Sequence, residues 1–163
     1  MRATLTFPIK ENKVLLSIKV KKIGAGFWNG YGGKIENESP NEAGARELFE
    51  ESGGIICEPN KLIPCAVIDF FFHSNETKES NWKVIVYLAD DFSGEAVSTP
   101  EMINPEWFHF DSVPYDKMLP ADHLFLPKIL VGEKFTGWIR FTEDMKKVHS
   151  YDFKIVDKDF LEI

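Results

Sequence analysis

The stretch from Gly32 to Gly54, GGKIENESPNEAGARELFEESGG, marks a helix at both ends. Ser39 can cap it, Pro40 fits the first helical position, and Glu42 completes a capping box. Gly53 supplies a left-handed stop, so the helix is predicted to run to about Ser52. Ala45, Leu48, Phe49 and Ser52 are expected to face a sheet, which leaves Glu47, Glu50 and Glu51 together on another face. Carboxylates three and four apart repel by a few tenths of a kcal/mol per pair, and Arg46 can relieve only part of that. Such a face is either an idle solvated surface or a site for a hard cation, because carboxylate oxygens at this spacing suit Mg²⁺ or Mn²⁺. The preceding segment favours the second reading. Between Gly24 and Lys34 lie five glycines among eleven residues, and backbone amides and carbonyls freed there can meet both metal and phosphate.

Other phosphate-binding motifs are absent. A P-loop needs a glycine five residues before its Gly-Lys pair, and before Gly33-Lys34 that position is Trp28. No GxGxxG stands in a strand-turn-helix context followed by an acidic residue.

At 163 residues and 44% hydrophobic, the chain suffices for one well-buried core and is short for two, so residues 1–163 are expected to form a single domain. The first residues, MRATLTFPIKENK, lack an apolar signal region, and no apolar run approaches the ~18 residues of a membrane span. A soluble cytoplasmic protein follows, and a monomer, since nothing in the composition points to a protein partner. The net charge of -7 argues against polymeric nucleic acid or an anionic membrane as a partner. Cys57 and Cys65 lack the spacing of a zinc site and read as free thiols.

Residues 4–7 and 13–20 read as strands joined by a turn at 11–13, and residues 66–72 and 82–89 as core strands split by a polar turn over 73–81. Residues 107–110 form another short strand, Asp122–Leu130 a second helix interrupted by Pro127, and residues 135–141 and 151–156 a closing hairpin. Strands interleaved with two helices predict an α/β or α+β sandwich.

Gly32, five residues, Glu38, seven residues, then Arg46-Glu47-Leu48-Phe49-Glu50-Glu51-Ser52-Gly53 resembles the Nudix box, whose closing bulky aliphatic is Gly54 here. Residues 24–34, Pro100-Glu101-Met102, Trp107-Phe108, residues 114–118 and Pro120-Ala121-Asp122 are similar to the MutT-homologue branch, the oxidised purine nucleoside triphosphate hydrolases of animals. The resemblance implies an α/β/α sandwich around a mixed sheet, and attack of water on a phosphorus of a nucleoside diphosphate linked to a group X. For triphosphates the products are a monophosphate and pyrophosphate. Carried onto this chain, Glu47, Glu50 and Glu51 ligate Mg²⁺ (Mn²⁺ being the alternative) with a carbonyl of Gly33 or Gly32. Glu101 sits opposite as a further ligand or base, Arg46 orients the glutamates and Lys34 contacts phosphate.

The same resemblance places Thr4, Lys19, Asn29, Phe70, Phe72, Trp82, Met102, Leu119, Ala121, Asp122 and Phe125 around the base. It also shows departures. Leu119 and Phe125 stand where the animal enzymes have tryptophans, Ala121-Asp122 replaces an aspartate pair, and the loop from Gly33 to Glu38 is one residue shorter. A purine triphosphate of the 8-oxo-dGTP type is the implied substrate, serving nucleotide-pool sanitation. The alternatives are an unmodified, methylated or capped nucleotide, or a nucleotide-binding module without turnover.

Overall fold

The computed structural model describes residues 1–74, 78–157 and 161. Among them, nine strands and two α-helices follow in the order β1 (Arg2–Lys10), β2 (Lys13–Lys19), β3 (Trp28–Asn29), β4 (Tyr31–Lys34), α1 (Pro40–Ser52), β5 (Ile63–Ser74), β6 (Lys78–Ala89), β7 (Met102–His109), α2 (Asp122–Leu130), β8 (Phe135–Phe141) and β9 (Val148–Ile155). The strands lie in the order β3-β2-β1-β6-β5-β8-β9, with β4 paired to β1 and β7 paired to β2. β1 runs parallel to β6 and β5 parallel to β8, while the other pairs are antiparallel, so the sheet is mixed.

Residues 66, 67 and 68, and likewise 85, 86 and 87, alternate between two buried clusters, as side chains on opposite faces of a strand must. One cluster joins Ala66, Ile68 and Val86 to Phe125, Leu126 and Ile129 of α2. The other joins Val67, Ile85 and Tyr87 to Leu48 of α1. The helices therefore cover opposite faces, giving the α/β/α sandwich expected from the sequence. Truncating the fully buried Leu48 to alanine should destabilise the fold by about 2–5 kcal/mol.

The turn between β1 and β2 places Glu11 and Asn12 at φ 52° and 60°, the two positive values of a primed hairpin turn that matches strand twist. The polar turn expected over 73–81 is shorter than predicted. The β5–β6 ladder continues through Phe72 opposite Ser80 and His73 opposite Glu79, because ladder hydrogen bonds need only backbone; residues 75–77 of that turn lie outside the described residues. α2 spans Pro127 unbroken, held by buried Phe125, Leu126 and Ile129 on either side of the missing N–H.

α1 begins and ends as its sequence dictates. Glu42 N donates to Ser39 Oγ at 3.2 Å, Ser39 N donates to Glu42 Oε2 at 3.2 Å, and Gly53 closes at φ 73°. Its rotation differs from expectation. The buried stripe is Ala43, Gly44, Leu48, Glu51 and Ser52, while Phe49 is 49% exposed. The tight fit of Gly44 against Leu62, where a Cβ would stand at 2.9 Å, sets the helix close to its neighbours on that side. This rotation carries Glu51 inward and Phe49 out.

Among the described residues, no helix is long and apolar enough to cross a membrane.

Candidate active site

The three helix glutamates do not share one solvated face. Glu51 is buried at 5% exposure, the Glu47 side chain is 14% exposed, and that of Glu50 is 55% exposed. Each has a different anchor. Gly32 N donates to Glu51 Oε1 at 2.8 Å, tying helix to glycine strand. Gly33 faces the Glu47 carboxylate so closely that a Cβ there would stand 2.5 Å from the carboxyl carbon. Only glycine at 33 leaves room for that carboxylate.

Arg46 Nη1 donates to Glu47 Oε1 at 3.0 Å and to Glu50 Oε2 at 3.2 Å, and Nη2 to the Lys34 carbonyl at 3.2 Å. Its other edge is held by Glu38, whose Oε2 accepts from Nε at 3.0 Å. Hydrogen bonding to Arg46 lowers the Glu38 carboxyl below its usual range, so it stays ionised as the counter-anchor. Sequence reasoning gave Glu38 no role beyond its place in the box, although its fixed spacing to Arg46 was the available signal. A second unforeseen tie is the 2.5 Å hydrogen bond between Ser17 and buried Tyr31, which joins the start of the glycine strand to β2.

Glu101 directly precedes β7, and its carbonyl accepts from Val20 N at 3.0 Å. Thr99 Oγ1 donates to the Glu51 carbonyl at 3.0 Å, which brings this loop against the end of α1. The Glu101 carboxyl lies close enough to that of Glu51 to raise it. Burial first, and then this neighbouring acid, hold the Glu51 carboxyl well above the usual range, against the Gly32 N–H and Lys19, which pull it down. Burial also raises Glu47, partly opposed by Arg46.

Acids crowded and desolvated in this way lack positive charge, and an all-oxygen set of carboxylates beside backbone carbonyls fits a hard divalent cation. Among the described residues, no three histidine, cysteine or carboxylate side chains gather tightly enough to hold a metal as they stand. The reason is geometric: Arg46 draws Glu47 and Glu50 to itself while the Gly32 N–H holds Glu51.

The residues expected around the base fall into two groups. On the α2 side, Asp122 is 5% exposed, its Oδ2 has no hydrogen-bond partner among the described residues, and burial pushes its carboxyl up to about 8. Phe125 lies edge-on to Phe70 with ring centroids 6.1 Å apart, and Phe70 also stacks on Phe141 at 6.2 Å, so both rings serve the core. Phe72 packs against Trp82 at 6.2 Å, and Lys34 Nζ lies 5.7 Å from the centre of the Trp82 ring. Asn29 Oδ1 accepts from Gly30 N at 2.9 Å; a Cβ at position 24 would lie 3.7 Å from Asn29 Nδ2, 3.6 Å from Leu119 Cδ1 and 3.6 Å from Lys19 Cδ. Gly24 thus gathers Lys19, Asn29 and Leu119 into one wall. Thr4 is buried with its hydroxyl unpartnered, and Ala121 is fully buried.

Met102 is buried with Leu15 and Tyr31 in the cluster beneath α1 and stands opposite Lys19 across β2 and β7. A cleft of about 940 Å³ opens beside Gly24, Phe72 and Leu119, and the glutamates lie outside it. Base-side and carboxylate-side residues form two zones bridged by Lys19, whose carbon chain touches the first and whose charge acts on Glu51. The unexpected Gly54 has a steric cause, since a Cβ there would stand 2.2 Å from the Glu95 carbonyl oxygen.

A model of the NUDIX domain matches residues 1–129. The chain is 36% identical over 139 residues to the oxidized purine nucleoside triphosphate hydrolase of Danio rerio, covering 85% of each chain. It is 35% identical over 156 residues to the protein of the same name from Mus musculus, covering 94% of each. Its fold is similar to the crystal structure of a MutT protein from Bacillus halodurans, with a TM-score of 0.79 and 26% identity, covering 94% of this chain and 97% of that one. On the carboxylate helix, the glycine strand docked on it, the sandwich and these matches together, the chain belongs to the Nudix hydrolase family.

Proposed function

We propose that this chain is a Mg²⁺-dependent pyrophosphohydrolase that converts a purine nucleoside triphosphate with an oxidised base to the monophosphate and pyrophosphate. The observation that carries the reading is the packing of the Glu47 carboxylate against Gly33 and of Glu51 on the Gly32 N–H, with Glu101 near enough to raise Glu51, which gathers the acids on the glycine strand. Similarity to the oxidized purine nucleoside triphosphate hydrolases of Danio rerio and Mus musculus supports the substrate. A divalent cation would be held by Glu47, Glu50 and Glu51 with a Gly32 or Gly33 carbonyl and Glu101, and would supply charge neutralisation of the phosphates and a more acidic attacking water.

The chain's own groups do the rest. Arg46, fixed by Glu38, orients Glu47 and Glu50, and one carboxylate of the cluster takes the proton from water as the bond to the leaving pyrophosphate breaks. Lys34 leaves its place over Trp82 to meet a phosphate oxygen. Phe72 and Trp82 offer ring faces to the base, and Asn29 offers its side-chain N–H. A carboxyl with a pKa of about 8 is protonated at neutral pH, so Asp122 donates one hydrogen bond and accepts another. That pair complements the adjacent C=O and N–H of an oxo-purine. Action in the cytoplasm on a free nucleotide by a monomer, without membrane or polymeric nucleic acid, completes the reading.

A second reading, a different nucleoside diphosphate-X substrate, is favoured by Ala121, which leaves Asp122 as the only carboxylate of the pair. The test is kcat/KM across 8-oxo-dGTP, 2-oxo-dATP, dGTP, dATP and dCTP with Mg²⁺. An oxidised purine should lead; equal turnover of dGTP or dCTP would move the substrate elsewhere.

A further inference from the structure

The base-side wall is also the wall of a larger space. Gly24, Phe72 and Leu119 line the cleft of about 940 Å³, and each touches the proposed base site. Gly24 meets Lys19 and Asn29, Phe72 meets Trp82, and the Leu119 carbonyl accepts from Asp122 N at 3.0 Å. The volume lies near the upper end of the about 300–1,000 Å³ that holds drug-sized ligands, well beyond the needs of a bare purine. Resting on the proposed nucleotide reading, we infer that the cleft is an extension of the base site and that the substrate range includes purine triphosphates carrying an apolar substituent larger than methyl on the base.

The lining decides the chemistry. Ile23, Phe27, Met118, Leu119 and Met145 supply apolar surface from three separate segments, and the two methionines can adapt to irregular shapes. Ile23 and Phe27 are 44% and 38% exposed, which is apolar surface a substituent would cover. The charges at the rim offset one another, with Lys22 and Lys146 facing Asp116 and Asp144. A second phosphate chain finds no net positive charge there, so an aryl or alkyl group suits the cleft better than a linked second nucleotide. The walls also belong to different elements. Ile23, on the loop between β2 and β3, is 44% exposed and can be enlarged without entering the core, whereas Met145, on the turn between β8 and β9, packs against the edge of the core.

The experiment compares kcat/KM for O6-benzyl-dGTP and N2-benzyl-dGTP with that for 8-oxo-dGTP, in the wild type and in Ile23→Trp and Met145→Trp. At least one benzyl substrate should be used within tenfold of 8-oxo-dGTP. Filling the cleft from either side should cut that activity tenfold or more and leave 8-oxo-dGTP within twofold. Calorimetric binding of the corresponding monophosphates in EDTA should show the same selective loss. Good turnover of 8-oxo-dGTP with both benzyl substrates rejected a hundredfold overturns the extension alone, as does equal sensitivity of large and small bases to both tryptophans. Turnover of benzyl substrates but not of 8-oxo-dGTP overturns the oxidised-base reading and keeps the extension. Rejection of every purine triphosphate overturns both.

Discussion

Asp122→Asn should flatten the dependence of stability on pH. In the fold, burial holds the Asp122 carboxyl protonated up to about 8, against an ordinary value of 3.8. Between those values the folded state keeps a proton that the unfolded state has released. With one more proton bound to the folded state, stability falls by about 1.4 kcal/mol per pH unit as pH rises. The sign follows from a raised folded value: the full stability is present below about pH 4, is lost progressively through the folded value, and changes no further above it. From pH 5 to pH 7 this amounts to about 2.7 kcal/mol, or roughly 5–11 °C in Tm for a domain of this size. Asparagine cannot ionise, so the variant lacks that slope; its buried amide adds a constant offset. Glu51 and the other titrating groups are common to both proteins and cancel in the difference. Thermal melts of both proteins every half unit from pH 5 to 8 give the comparison. Parallel Tm profiles would refute the claim that Asp122 is protonated in the fold, and with it the donor that is proposed to read the base.

Gly33→Ala should displace the Glu47 carboxylate, which a Cβ would approach to 2.5 Å, at about 1–3 kcal/mol of stability, with a marked fall in kcat. Denaturant midpoints and steady-state rates check the two effects, and wild-type activity in the variant would remove Gly33 from the site. Glu38→Gln should free Arg46 and lower Mg²⁺ affinity or turnover by about 10–100-fold while the fold is kept, as measured by metal titration of the rate and by circular dichroism. An unchanged metal dependence would leave Glu38 with no positioning role.

The carboxylate site was largely legible because its signals are local. Ser39, Pro40, Glu42 and Gly53 fix the ends of α1, and the spacing of Glu38, Arg46 and the glutamates follows from one helix and one loop. The rotation of α1 was not legible, since Phe49 and Glu51 exchange their expected environments through contacts with Leu62 and Gly32 from distant segments. Gly54 breaks the pattern of the box for a reason the local sequence does not show, since the Glu95 carbonyl that excludes a side chain there comes from a distant segment. The cleft beside Leu119 needed three loops to converge, which no periodicity reveals.

Metal-dependent pyrophosphohydrolysis by the glutamate cluster is read from product release with 8-oxo-dGTP. The assay quantifies pyrophosphate and orthophosphate, with Mg²⁺ and with EDTA, for the wild type and Glu51→Gln. Pyrophosphate should be the product, with none in EDTA, and Glu51→Gln should lose more than the about 100-fold that removal of an outer partner can cause. Undiminished turnover in EDTA or in Glu51→Gln, or orthophosphate as the product, would contradict it.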